Sequence, residues 1–206
     1  PAVRGRLPGV TDAVSADESA AAADGLRRLL DGDVFTVAKR LLGARVRTTF
    51  GGAPTEVMLT EVEAYAGGDD PASHAFRGRT ARNGSMFGPP GTLYVYRSYG
   101  IHWCMNVVGG ETGVARAVLL RGAEIVEGVD IAARRRGRDD HLADGPGKLT
   151  QALGVSDAMD GHDLRRAPLR LVEPRRRVKS FVTGPRIGIS KAIDRPWRFV
   201  VDDWAD

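Results

Sequence analysis

Two acids stand two residues apart in the run E-V-M-L-T-E-V-E-A-Y, at Glu61 and Glu63, with Tyr65 two positions further on. A run of that composition alternates as a strand, so all three side chains share one face. A carboxylate held there can take a proton from water or stabilise a neighbouring positive charge. The four tyrosines of the chain, Tyr65, Tyr94, Tyr96 and Tyr99, all fall between Leu59 and Asn106, as do His74, His102 and the single cysteine, Cys104. Aromatic faces carry negative potential and attract cations. No lysine adjoins Glu63, so an amine nucleophile acting through a Schiff base is not supported. Asp69, Asp70 and His74 are conceivable metal ligands, but no second histidine lies at a ligand spacing. The expectation is no metal and no cofactor.

These residues need elements to hold them. Residues 17–32 read as a helix with Leu26, Leu29 and Leu30 on one edge, and Asp33 caps a second with Val34, Val37, Leu41 and Leu42 inward. Residues 44–50 and 56–65 form two strands around a G-G-A-P turn. Strict alternation in the second puts Met58, Val62 and Ala64 toward the core and leaves Glu61, Glu63 and Tyr65 on an open face. Residues 66–91 lack a period and are rich in glycine and proline, which marks a functional loop carrying His74 and the cations Arg77, Arg79 and Arg82.

Residues 92–97 and 102–108 read as a hairpin with Tyr99 at its tip and Gly100 at positive φ. A strand at 114–121 ends in Arg121, an amphipathic helix spans 124–136, and a glycine turn leads into a short helix at 144–153 with Lys148 near its start. Strands are expected at 169–173, 185–190 and 197–202. The basic runs Arg134–Arg138 and Arg175–Arg177 are read mostly as solvated faces, and Trp197 and Trp204 as packing residues.

Composition sets the class. At 206 residues there is room for one sizeable core. Residues 1–14 read as a flexible N-terminal arm and 15–206 as a single domain. The formal charge is +4 and the pI about 9.6. The arginine content leans toward a nucleic-acid partner, although codon bias toward Arg, Ala and Gly accounts for it equally well. One cysteine excludes an internal disulfide framework, and there is no long apolar run or apolar signal core. A soluble, cytoplasmic, monomeric protein is expected.

The central stretch resembles the alkyladenine (3-methyladenine) DNA glycosylase family. The resemblance rests on E-A-Y-x-G (Glu63–Gly67), A-x-H (Ala72–His74), R-N-x-x-M-F (Arg82–Phe87), P-G-T-L-Y-V-Y-x-x-Y-G (Pro90–Gly100), C-M-N (Cys104–Asn106), V-L-L-R (Val118–Arg121) and G-P-x-K-L-x-Q-A-L (Gly145–Leu153). The motifs occur in the family's order and cover roughly residues 26–202. The resemblance implies an α+β fold: one mixed domain around a curved, mainly antiparallel sheet, with a protruding β-hairpin that enters DNA. It implies a monofunctional enzyme of base-excision repair. Such an enzyme flips alkylated purines (3-methyladenine, 7-methylguanine) out of double-stranded DNA and hydrolyses the N-glycosidic bond.

Carried over by position, Glu63 becomes the carboxylate that activates water, and Tyr65, His74 and Tyr96 the walls of the base pocket. Asn106 becomes its floor, Tyr99 the residue filling the vacated stack, and Arg121 a cleft residue. Arg79 and Lys148 are expected to contact DNA, Lys148 by holding a phosphate at a helix start. His102 and Trp103 stand where animal relatives carry other aromatics. Glu61 shares the face of Glu63, and the sequence alone does not separate the two. A solvated glutamate pairing with an arginine on strand 44–50 is the plain alternative for either acid. For the whole chain, the alternative is a non-catalytic protein that senses damage or structure in nucleic acid.

Overall fold

A computed structural model describes residues 24–205. The expected arm, residues 1–14, and the start of the first expected helix lie outside them. Residues 24–30 are helical (α1) and bury Leu26, Leu29 and Leu30. Helix α2, Val34–Leu41, starts where expected: the Asp33 carboxylate accepts from the amides of Phe35 (2.9 Å) and Thr36 (3.1 Å). Such a cap satisfies donors that the first turn leaves free. Val34, Val37, Ala38 and Leu41 recur at helical spacing and are buried against the sheet. Each buried Val or Leu contributes roughly 1.5–3 kcal/mol.

The sheet contains β1 (Arg45–Thr48), β2 (Thr55–Tyr65), β3 (Leu93–Ser98), β4 (His102–Val108), β5 (Ala117–Glu127), β6 (Leu169–Val172), β7 (Val178–Gly184) and β8 (Arg198–Trp204). Its main path runs β3-β4-β5-β2-β1-β6, and every pairing is antiparallel. It forks at β2. One edge of β2 pairs with β5; the other takes β1 at its beginning and β8 at Glu61–Glu63, with β7 beyond β8. Helices α3 (Val129–Arg136) and α4 (Pro146–Leu153) complete the α+β fold.

Three expectations need correction. Residues 124–127 do not begin a helix; they continue β5, with Glu124 opposite Met58 and Ile125 opposite Val57. Pairing across the sheet overrides local helical propensity here. The helix starts only after Gly128, which has φ 74° and approaches Pro54 so closely that a Cβ would lie 2.4 Å from its carbonyl oxygen. Arg121 is therefore mid-strand. Residues 185–190 are not a strand either. β7 ends at Gly184, and the segment after it runs irregularly across the sheet, where the Ile187 amide donates to a side chain instead of a ladder partner.

The third correction concerns phase. Val57 and Leu59 share one core with Val62 and Ala64, which strict alternation forbids. The register between β2 and β5 shifts around Glu61, leaving Thr60 on β2 and Arg121 on β5 without Cα partners. Such bulges switch the inward face and re-aim side chains. Beyond the shift the alternation resumes, with Glu61, Glu63 and Tyr65 opposite Val62 and Ala64. That face is not open: Ile187 and the side chains of Arg121 and Arg198 lie against it, and Glu63 has 0% exposure.

Candidate active site

A cavity of about 620 Å³ opens between the C-terminal end of β2, the loop carrying His74, the β3–β4 hairpin, β5 and residues 187–191. Its lining includes Tyr65, His74, Tyr96, Tyr99, Asn106 and Arg121. Six side chains picked out by the sequence thus converge from four separate stretches. The size lies within the range of small-molecule sites.

The aromatic walls are built on β3. Tyr94 and Tyr96 point to one side, their rings stacked at 5.6 Å and 26°. His74 meets Tyr96 edge-on at 4.5 Å and 84°. Its Nδ1 lies 2.9 Å from the Tyr94 hydroxyl, which fixes the ring. Burial pushes the His74 pKa below its ordinary 6.5, with the Arg82 guanidinium acting in the same direction, so the imidazole is neutral at pH 7. Burial likewise lifts Tyr94 to about 12 and raises Tyr65 and Tyr96 further, so all three present neutral phenol rings. Asn106 is buried and donates to the Tyr94 carbonyl at 3.2 Å, which fixes its amide in the cavity lining.

Glu63 lies beneath the wall rather than in it. Its Oε2 accepts from the Tyr65 hydroxyl (2.8 Å), and its Oε1 accepts from the Ile187 amide (2.8 Å) with Arg121 Nε at 3.4 Å. All three of those residues line the cavity. A carboxylate has about four acceptor positions. Two hydrogen bonds leave acceptor positions unused on a side chain that the cavity walls cover. Glu61 differs: Arg121 Nε donates to it at 2.9 Å and Arg198 at 3.0 Å, and it is part-exposed. The arginines of β1, a conceivable pairing for either acid, are taken by Glu56 instead.

Burial is the largest influence on the Glu63 carboxyl and raises its pKa above the ordinary 4.5; Arg121, the Ile187 amide and the Tyr65 hydroxyl pull it back. A base of raised pKa accepts a proton from water more readily but is lost to protonation earlier as pH falls. The rate of any reaction needing ionised Glu63 will therefore decline on the acid side at a pH above the usual carboxylate range. A single-turnover pH–rate profile checks this; an acid limb at or below pH 4.5 would contradict it.

At the mouth, Tyr99 stands at the hairpin tip with 83% exposure. Ser98 O accepts from Ile101 N at 2.9 Å across a turn in which Tyr99 (φ 49°) and Gly100 (φ 69°) are both left-handed. The Tyr99 hydroxyl reaches Gly188 O at 3.4 Å. Arg79 and Lys148 are not brought to the cavity. Arg79 lies over the Phe87 ring at 5.6 Å, and Lys148 is paired with Asp144 at 2.8 Å. Sequence reasoning named Arg82 only as a loop cation and Tyr94 only within the tyrosine cluster; both line the cavity, Arg82 at 5.9 Å from the Tyr96 ring centre, and the wall formed by Ile187–Lys191 was missed. Gly184 just before the supposed strand, with Pro185 and Gly188 inside it, was the available signal for that wall. Among the described residues no group of acids, histidines and cysteine is arranged to hold a metal ion, and no helix is long and apolar enough to cross a membrane.

A family model described as methylpurine-DNA glycosylase matches residues 28–205. The chain belongs to the methylpurine-DNA glycosylase family. A protein of Rhodopseudomonas palustris (strain HaA2) named "Putative 3-methyladenine DNA glycosylase" is 50% identical over 179 residues, covering 84% of both chains. Proteins with that same name are 50% identical in Streptomyces avermitilis, over 82% of this chain and 84% of theirs, and 48% identical in Methanoculleus marisnigri, over 81% and 89%. The methylpurine-DNA glycosylase match spans every element that contributes to the cavity, from β2 to the segment before β8.

Proposed function

We propose that this protein is a monofunctional DNA-3-methyladenine glycosylase that removes alkylated purines from double-stranded DNA and leaves an abasic site. The observation that carries this reading is the buried Glu63 carboxylate directly beneath a cavity walled by Tyr65, His74 and Tyr96. A base in a duplex hides its sugar C1′, so the nucleotide must be extruded, at a few kcal/mol. Tyr99 at the exposed tip fills the vacated stack, and the extruded base stacks among the aromatics.

As the bond from C1′ to the base nitrogen breaks, its electron pair moves to the base and positive charge builds on the sugar. Water attacks C1′ and passes its proton to Glu63. Arg121 and the Ile187 amide hold that carboxylate at one oxygen, and the Tyr65 hydroxyl holds it at the other. A base already positive leaves as a neutral molecule and needs no proton. Electron-rich rings and a neutral His74 also receive a cation better than a protonated imidazole would.

The test is release of free base from duplex DNA carrying 7-methylguanine, 3-methyladenine, hypoxanthine or ethenoadenine. The cationic lesions are expected to leave fastest. Equal or faster release of the neutral ones would overturn the lesion preference, and DNA binding without any release would overturn the enzymatic reading. A damage-sensing protein needs the aromatics and the charge but has no use for a desolvated acid beneath them.

A further inference from the structure

Asp70 and Arg186 form an ion pair whose side chains are wholly buried. Neither has a part in the chemistry above, and a buried pair is poor value as a stabiliser, since desolvation offsets its attraction. What the pair touches is more telling. Arg186 Nη2 donates to Asp70 at 2.8 Å, and Nη1 donates both to Asp70 and to the Ala64 carbonyl on β2, the latter at 2.9 Å. The guanidinium lies 4.5 Å from the Tyr65 ring centre and 4.9 Å from that of Trp197. Asp70 also accepts from the amides of Ala66 (3.4 Å) and Ala72 (3.1 Å), and the Ser73 amide donates to its carbonyl, so it sets the path of the chain into His74. The residue after Arg186 is Ile187, whose amide holds Glu63.

We infer that Asp70 and Arg186 are positioning residues that join three parts of the site, the Tyr65 ring, the loop delivering His74, and the Ile187 amide on Glu63, into one preset geometry. This rests on the glycosylase reading. Arginine suits the task because its rigid fork and flat faces fix a partner in two directions at once; lysine offers neither. A shift of about 1 Å in a reacting group costs on the order of 100-fold in rate.

The experiment compares wild type with Arg186→Lys and Asp70→Asn on duplex DNA carrying 7-methylguanine. It measures single-turnover release across pH, affinity for a duplex containing a tetrahydrofuran abasic analogue, and thermal unfolding. The expected result is a release rate about 10- to 100-fold lower, affinity for the abasic duplex within about threefold, and an acid limb moved to higher pH. The sign follows from geometry: an amide that donates to the ionised carboxylate favours that form, so disturbing it raises the pKa. Tyr65 on the same strand also donates to the ionised carboxylate, so freeing its ring from Arg186 moves the pKa in the same direction; the other charged or titratable groups facing Glu63, namely Glu61 on its own strand, Tyr96 on β3, Cys104 on β4 and Arg121 on β5, are not touched by either substitution. A folded variant releasing base at the wild-type rate would overturn the inference. So would a rate loss with an unmoved acid limb, or failure of both variants to fold, since each makes the pair merely structural. If wild type itself releases no base, the glycosylase reading fails instead.

Discussion

Glu63→Gln will still bind duplex DNA, but its single-turnover release of 7-methylguanine will fall by about 10²–10⁴-fold, the usual contribution of a positioned general base. Glutamine keeps the shape: its Oε1 can accept from the Ile187 amide while its Nε2 donates to the Tyr65 hydroxyl, so the fold should survive. What it loses is a proton acceptor and a negative charge beside the sugar. Glu61→Gln is the control. Glu61 is held by Arg121 and Arg198, and its part is to share Arg121 with Glu63. Its loss leaves Arg121 with Glu63 alone, and a change of about tenfold or less is expected, in line with a disturbed charged hydrogen bond of about 1.4 kcal/mol. The pair is measured side by side by base release, with abasic-duplex affinity as the binding control. A dead Glu61→Gln beside an active Glu63→Gln would reverse the assignment.

The second large effect runs in two directions. Tyr99 has φ 49°, a conformation that costs a non-glycine residue about 1–2 kcal/mol. Tyr99→Gly relieves it, while the freer unfolded chain takes back about 0.4–1 kcal/mol. The melting temperature should rise by about 2–4 °C. The same change removes the ring expected to fill the duplex, and an aromatic stacked on a base is worth about 1–3 kcal/mol. Release should drop about 5- to 150-fold, with most of the loss in the extrusion step, as seen by fluorescence of a 2-aminopurine beside the lesion. A more stable and less active protein is the expected outcome. Loss of both stability and activity would mean that the tip tyrosine supports the fold instead.

The sequence disclosed the site more fully than the sheet that carries it. Tyr65, His74, Tyr96, Tyr99, Asn106 and Arg121 do converge, because motif spacing reports which residue types recur together whatever the backbone does between them. Periodicity was sound where one partner sets the face, as in α2 and the hairpin. It failed where two partners compete. The shift around Glu61 arises from pairing with β5, and nothing in the run T-E-V-E records it. The acid expected on an open face is sealed by residues more than 120 positions later, with |i−j| of 124 to Ile187. Residues 124–127 read as helix because their preference is local, whereas their partners, Glu56–Met58, are not. Asp70 reads in the sequence only as a conceivable metal ligand, since its partner, Arg186, lies far along the chain.

The fork of the sheet at β2 divides the site by how readily its parts come apart. Glu61–Glu63 are bonded along both edges, to β5 and to β8, so their amides belong to the portion that opens last and exchanges hydrogen most slowly. Tyr99 is tethered beyond its own turn by one long bond to Gly188, and the strand bearing it lies at the end of the sheet path. On the proposed reading, the surface that would meet DNA is the part freest to open, and the proposed proton acceptor is the part held most firmly. Mutational drift at the tip would retune how damage is sampled and leave the hydrolytic step untouched.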